Sequence, residues 1–377
     1  MAAAALLTYD PDGDLLLRLP YPAEKAEGRE YNDGAAETET LVDDASVDRM
    51  DGAVTPEGLD ETMEEAGTST AGEIHMVVSS KHLMLASRVF RAMLQHSNFK
   101  EGDELRKNGR VEVTLPDDNY IAFGIMMDII HGRVSKIPRQ VSLEILTDIS
   151  ILVDKYETLE SFGLILDVWM TSLLPTVCDQ GVLSWLSIAW VFRLPDCFQK
   201  MTRLLQYAAD DTAKQGVWDH LPIPDRVFEE IESRRQRAIK DALGHLEAFI
   251  DSCRSPLGLC TQAQGSQLSL VCNGMLLGTF LRSASLNGIW PTPAYPYNGL
   301  KVLEVTKRIR SLDIKSICDN DFGDYTDWCP SQPPVMKGSH GWKDKVAKQM
   351  KVIEKGLSGL ELDLFLPPPS QQKCRDQ

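Results

Sequence analysis

Between residues 22 and 72 the chain carries 15 Asp or Glu against only Lys25, Arg29 and Arg49, and its scattered Leu and Val follow no helical or strand period. A stretch of that composition cannot bury enough apolar surface to offset the entropy lost on ordering, so it is predicted to be a disordered acidic insertion. Whatever folds must be assembled from the residues on either side of it. Fifteen acids against three bases put −12 of the formal −16 charge in this one stretch, and the remainder of the chain is only mildly acidic. The stretch reads as a solvated spacer rather than an acidic interaction tail. The acidic balance also disfavours nucleic acid as a partner, because neutralising phosphates needs a concentration of Lys and Arg.

A length of 377 residues allows two folded units beside the insertion, and 43% apolar with 25% charged residues is an ordinary globular composition. The richest apolar run, over residues 162–174, is too short to span a bilayer and is interrupted by Asp167, so no membrane span is predicted. Residues 1–7 are apolar but lack a basic flank, and Asp10, Asp12 and Asp14 follow, unlike a secretory leader. The expectation is an intracellular protein, cytoplasmic or nuclear. Eight cysteines in such a chain are expected to be free thiols or metal ligands rather than a disulfide framework.

Asp12-Gly13-Asp14 signals a turn into a short strand over residues 15–19. Beyond the insertion, Ile74, Met76 and Val78 alternate with His75 and Val77 as a half-buried strand does. Ser79 and Ser80 offer a cap for a helix over residues 81–85, and a second helix is expected from Ser87, with Val89, Phe90, Met93 and Leu94 on one face. A polar loop should lead from Phe99 to a strand in which Val111, Val113 and Leu115 share a side. Asn119 caps a helix bearing Ile121, Ile125, Met126, Ile129 and Ile130. Ser142 caps another bearing Leu146, Ile149, Val153 and Tyr156, and a last helix stops at Pro175. The pattern is that of an α+β domain with helices clustered against a small sheet. From Gly181 onward strand signal nearly vanishes, and helices are predicted over residues 181–207 with a break at Pro195, then 224–251, 275–286, 300–312 and 342–353. The expected organisation is a domain over residues 9–175 interrupted at 22–72, a helical domain over 181–366 and a polar tail at 367–377.

The first domain resembles the BTB/POZ family. The resemblance rests on the string from Ile74-His75-Met76-Val77-Val78 through Ser79-Ser80-Lys81-His82-Leu83 to Val89-Phe90-Arg91-Ala92-Met93-Leu94. It rests also on Phe99-Lys100-Glu101, on Val113-Thr114-Leu115-Pro116-Asp117-Asp118 and on Leu152-Val153-Asp154-Lys155-Tyr156. Asp14-Leu15-Leu16-Leu17 matches the aspartate that precedes the family's first strand. Segments further on, such as Met275-Leu276-Leu277-Gly278 and Gly359-Leu360-Glu361-Leu362, resemble a large group of fungal BTB-domain proteins.

The resemblance implies a protein-binding fold that commonly dimerises, with some members recruiting a cullin as adaptors of ubiquitin ligases and others serving transcription. Phe99, Lys100 and Glu101 look like the family's hydrophobic-x-Glu element on the cullin-facing side, and with Asp14 they form the expected partner-binding set. Ser79-Ser80 stands where the family usually has a His-Arg or His-Lys pair, and Lys81 follows one place later, so Asp14 lacks the usual base. A transcription-linked scaffold that binds no cullin is the alternative, and a zinc-stabilised protein associated with nucleic acid is a third.

No Gly-rich phosphate loop, Gly-x-Ser-x-Gly elbow or His-Glu-x-x-His pair occurs, so no enzyme is predicted. The candidate chemistry lies in Cys253, Cys260, Cys272, Cys318, Cys329 and His340, whose thiolates and imidazole suit Zn²⁺. Cys260, Cys272, Cys329 and His340 are the predicted metal set, although the spacings exceed the tight pairs of common zinc motifs, and buried free cysteine is the competing reading. Arg234-Arg235-Gln236-Arg237, flanked by Glu229, Glu230, Glu232 and Asp241, reads as a solvated, salt-bridged helix face. Trp185, Trp190 and Phe192 read as core.

Overall fold

The computed structural model describes residues 5–21, 72–95, 99–173, 181–208, 220–260, 267–318 and 340–366. The predicted insertion and the polar tail lie outside the described residues. The architecture is α+β, with a four-stranded mixed sheet and twelve α-helices among the described residues. The chain divides into two compact units, Met1–Ile137 and Pro138–Gln377. Residues 143–173, which the sequence analysis assigns to the first domain, cluster with the second unit.

The first unit runs β1 (Ala5–Thr8), β2 (Leu15–Tyr21), β3 (Gly72–Val78), α1 (Ser80–Ala86), α2 (Arg88–Gln95), α3 (Lys100–Asn108), β4 (Val111–Thr114) and α4 (Tyr120–Ile130). Its sheet has the order β1-β3-β2-β4, with β2 antiparallel to β3 and parallel to β4. Leu17 stands opposite both Met76 and Val113, so the alternating apolar residues of three strands fall on one face. Leu15, Leu17, Leu19, Ile74, Met76, Val78, Val111 and Val113 are buried there. Arg18, Glu73 and Glu112 take the other face, where Arg18 bonds Glu73 at 2.7 Å.

Local signals end these elements as the sequence predicts. Asn119 Oδ1 accepts hydrogen bonds from the N–H groups of Ile121 and Ala122 at the start of α4. Ser87 Oγ accepts from the Phe90 N–H in α2. The expected polar loop after Phe99 is instead α3. This helix has no apolar stripe to announce it, and is held by charge: Glu101 and Asp103 in its first turn, Arg106 and Lys107 in its last, and a Lys100–Glu104 pair at 3.4 Å. Gly109, at φ 69°, closes it in the left-handed conformation that glycine adopts without steric cost.

Among its described residues the second unit has helices and no strand: α5 (Leu143–Tyr156), α6 (Gly163–Leu173), α7 (Val182–Val191), α8 (Pro195–Ala208), α9 (Asp225–Arg254), α10 (Gln267–Leu286), α11 (Val302–Arg310) and α12 (Trp342–Gly356). Ser142 Oγ caps α5 by accepting from the Ile145 N–H. Pro195 begins α8 at the position where its missing N–H costs nothing. The spine is α9, which buries Val227, Ile231, Arg235, Ala238, Ala242, Leu246, Phe249 and Cys253 at spacings of three or four. Phe249 packs at 4.7 Å from Phe280 of α10 and 4.9 Å from Trp342 of α12, so three helices meet on one aromatic cluster.

Candidate functional site

At the edge of that aromatic core, Cys260, Cys272, Cys318 and His340 turn their donor atoms toward one point, all within 4.8 Å of one another. Four separate stretches deliver them. Cys260 lies in the turn after α9, Cys272 in α10, Cys318 eight residues after the end of α11, and His340 just before α12. Cys318 Sγ is 3.8 Å from Cys260 Sγ and 3.7 Å from Cys272 Sγ, and Cys272 Sγ is 3.4 Å from His340 Nε2. Cys260 and Cys272 are fully buried, whereas Cys318 and His340 are half-buried.

The local sequence explains each position. Asn273, beside Cys272 on α10, accepts the N–H groups of Leu259 and Cys260 on Oδ1 at 2.8 and 3.1 Å, fixing the Cys260 turn against the helix. Its Nδ2 donates to the Ser269 carbonyl, and Ser269 Oγ donates to the Cys260 carbonyl. The turn passes so close that a Cβ on Gly258 would stand 2.0 Å from Asn273 Nδ2, and Gly258 has φ 60°; both facts require glycine. Cys318 is steered by α10 as well. Ser283 Oγ accepts from the Asp313 N–H, and Thr279 Oγ1 pairs with Lys315 through both its N–H and its carbonyl. His340, at φ 49°, and Gly341, at φ 73°, turn the chain sharply into α12, whose first residue Trp342 is locked in the core.

Burial makes two of the thiols harder to ionise than a free cysteine. Burial pushes the Cys272 thiol up, while the peptide N–H groups of Ile317 and Cys318 point at its sulfur and oppose that shift. Cys318 is raised by burial first and then by its two cysteine neighbours. Cys253, buried near Cys272 but outside the four-donor group, is pushed up to about 11, by burial and then by Cys272. The Cys272 and Cys318 thiols therefore resist ionising, and a bound divalent cation would reverse that balance. The four residues can hold a metal ion.

Three of the four predicted ligands, Cys260, Cys272 and His340, come together here. Cys318 completes the set in place of Cys329, which lies outside the described residues. Cys318 is held in place by the fastening of residues 313–315 to α10, a long-range contact that its own sequence neighbourhood does not announce.

The predicted partner-binding residues lie in the first unit. Phe99 is 49% exposed at the N-terminus of α3, with exposed Lys100 and half-buried Glu101 beside it. Asp14 is occupied otherwise: its Oδ1 accepts the Ser80 N–H and its Oδ2 the Ser80 hydroxyl, both at 2.7 Å. Ser79 and Ser80, expected to cap α1 with their own side chains, leave that task to Asp14 and His131, since His131 Nε2 accepts the Ser79 N–H at 3.1 Å. His131 Nδ1 donates in turn to the Met127 carbonyl at 2.9 Å, which fixes a neutral imidazole, and burial holds its pKa below the ordinary value.

No family profile and no curated protein matches this chain.

The Arg234-Arg235-Gln236-Arg237 stretch is only partly the solvated face expected of it. Arg234 does pair with Glu230 at 2.8 Å. Arg235, however, is 1% exposed, paired with Glu232 at 2.6 Å, and donates to the carbonyls of Tyr297 and Leu300 at 3.2 and 2.6 Å. The loop carrying Pro291, Pro293 and Pro296 presents carbonyls that need a donor, and a guanidinium can satisfy several at once. Trp185 and Phe192 are buried as core, and Trp190 packs on Phe198. No helix among the described residues is long and apolar enough to cross a membrane.

Proposed function

We propose that the chain is a non-enzymatic protein-interaction protein whose first unit is a BTB/POZ-like docking module. The observation that carries this reading is the meeting of β2, β3 and β4, around Leu17, Met76 and Val113, in one sheet with α1, α2 and α4 in the same unit. That is the arrangement the family resemblance implies for these segments. The exposed ring of Phe99 next to Glu101 supports a docking edge: an aromatic supplies contact area and a carboxylate supplies orientation. The protein partners proposed are a second copy of the chain and a cullin. A scaffold linked to transcription, with no cullin contact, is the second reading; it is favoured by Asp14 being taken up by Ser80 rather than by a basic residue.

A pull-down with a cullin N-terminal region, comparing wild type with Phe99→Ala/Glu101→Ala, tests the adaptor reading. Binding by wild type that the double variant loses supports it, and no binding by wild type removes it in favour of the scaffold. Light scattering on the purified chain reads the dimer directly.

The ion proposed for the four-donor cluster is Zn²⁺. With Zn–S near 2.3 Å and Zn–N near 2.05 Å, a tetrahedral site has S···S edges of about 3.8 Å and S···N edges of about 3.6 Å. Three of the six edges of the cluster are close to these, with S···S separations of 3.7 and 3.8 Å and an S···N separation of 3.4 Å, and all six are within 4.8 Å. Three thiolates and an imidazole are soft and borderline donors, which favour zinc over calcium or magnesium.

A further inference from the structure

Resting on Zn²⁺ as the ion, we infer that the site is closed and structural, and that its occupancy governs the folding of the assembly of α9, α10, α11 and α12. Four protein donors complete a tetrahedral zinc site and leave no position for water or substrate, whereas catalytic sites keep one open. The burial of Cys260 and Cys272 agrees with this. The S···S separations of 3.7 and 3.8 Å are also far from the about 2.05 Å of a disulfide, so the cysteines are not joined to one another.

Each ligand is tied to a different part of the core. Cys260 follows the C-terminus of α9, Cys272 belongs to α10, Cys318 lies three residues beyond Lys315, which is fastened to Thr279, and His340 is two residues before Trp342. One ion therefore cross-links four stretches whose ligands lie as many as 80 residues apart, from Cys260 to His340. The unfolded chain has no such site, so the free energy of binding adds to that of folding. Without the ion, the four stretches lose the bonds through which their donors are joined at one point.

The full-length chain provides the test. All seven tryptophans lie beyond residue 137, so tryptophan fluorescence reports on the second unit alone. Protein purified without chelator is expected to carry about one Zn²⁺ per chain. Cys318→Ser is expected to lose it, and Cys253→Ser and Cys329→Ser to retain it. Stripping wild type with a strong chelator should lower the thermal transition seen by fluorescence by roughly 10 °C or more, and added Zn²⁺ should restore it. Co²⁺ added to stripped protein should give thiolate-to-metal charge-transfer absorption.

The outcomes separate zinc binding from its role in folding. A metal-to-protein ratio near zero, with no charge-transfer absorption from Co²⁺, removes zinc itself. Metal that is present and removable while the fluorescence transition stays put overturns the folding inference and leaves the ion. Loss of metal from Cys329→Ser with retention in Cys318→Ser overturns the ligand set. Should Cys318→Ser fail to fold, the chelation and cobalt measurements on wild type still decide.

Discussion

Asp14 and Ser80, 66 residues apart across the acidic insertion, are joined by two hydrogen bonds of 2.7 Å, one to each carboxylate oxygen. The pair anchors the start of β2 to the start of α1, and the carboxylate also lies where a helix N-terminus attracts negative charge. Asp14→Ala removes both acceptors and leaves the Ser80 N–H without its partner. The expected loss is about 1.5–3 kcal/mol for a hydrogen bond to a charged group. Asp14→Asn keeps one acceptor and should lose less. The first unit contains no tryptophan, so urea unfolding is to be followed by far-UV circular dichroism or amide exchange in α1. Equal stability of wild type and Asp14→Ala would count against the cap.

His131 makes the same end of α1 sensitive to acid. An unfolded histidine titrates near about 6.5, and burial holds the folded His131 lower; His82 and Arg133 add to that shift, while the Met127 carbonyl and Asp10 oppose it. The folded chain therefore binds fewer protons at this site than the unfolded one. The contribution of a neutral His131 is complete above about pH 6.5 and is lost as pH falls through that value toward the folded pKa. Protonation would also turn Nε2 from an acceptor of the Ser79 N–H into a donor facing it. His131→Gln, which can still accept, should lose less stability than wild type between about pH 7 and pH 5. Parallel pH profiles for the two proteins would remove this residue from the account.

The sequence was most informative where structure is decided locally. Asn119 and Ser142 announced their helices because a cap acts within three residues. The alternation around Leu17, Met76 and Val113 announced three strands, though not their order, which depends on pairing across the insertion. Helix α3 escaped notice because its stability comes from charge placement and Gly109, not an apolar stripe. The burial of Arg235 escaped notice, and Cys318, though among the candidate cysteines, was passed over for Cys329, for a different reason. Each looks ordinary among its neighbours, and each acquires its role from residues tens of positions away: the carbonyls of Tyr297 and Leu300, and the thiols of Cys260 and Cys272.

Arg235 should accordingly be among the least replaceable residues of the second unit. Its side chain is 1% exposed and that of Glu232 12%, so removing the guanidinium strands a carboxylate and two backbone carbonyls away from water. Breaking a buried pair on one side costs about 3–5 kcal/mol, and Arg235→Ala is expected in that range. Arg235→Lys retains the charge but not the planar fork that reaches Glu232 and the carbonyls together, and should recover only part of the loss. Tryptophan fluorescence in urea reads this unit alone. A change within ~0.5 kcal/mol for Arg235→Ala would mean that the loop around Tyr297 does not depend on the guanidinium.

Gly258 tests how the Cys260 turn is held without touching a ligand. A methyl group there would stand 2.0 Å from Asn273 Nδ2 and 2.5 Å from its Cγ, and Asn273 cannot swing aside without releasing the N–H groups of Leu259 and Cys260. The φ of 60° adds strain for any side chain. Gly258→Ala should therefore leave all four donors in the sequence yet weaken zinc retention, by the 10–100-fold typical of changes to groups that orient metal ligands. Asn273→Ala should act in the same direction by removing the shared acceptor. Competition with a chromogenic chelator measures both against wild type. Gly109→Ala, at a glycine in the first unit whose Cβ would meet nothing within 4 Å, provides the control: it strains the backbone at φ 69° but should leave zinc retention unchanged.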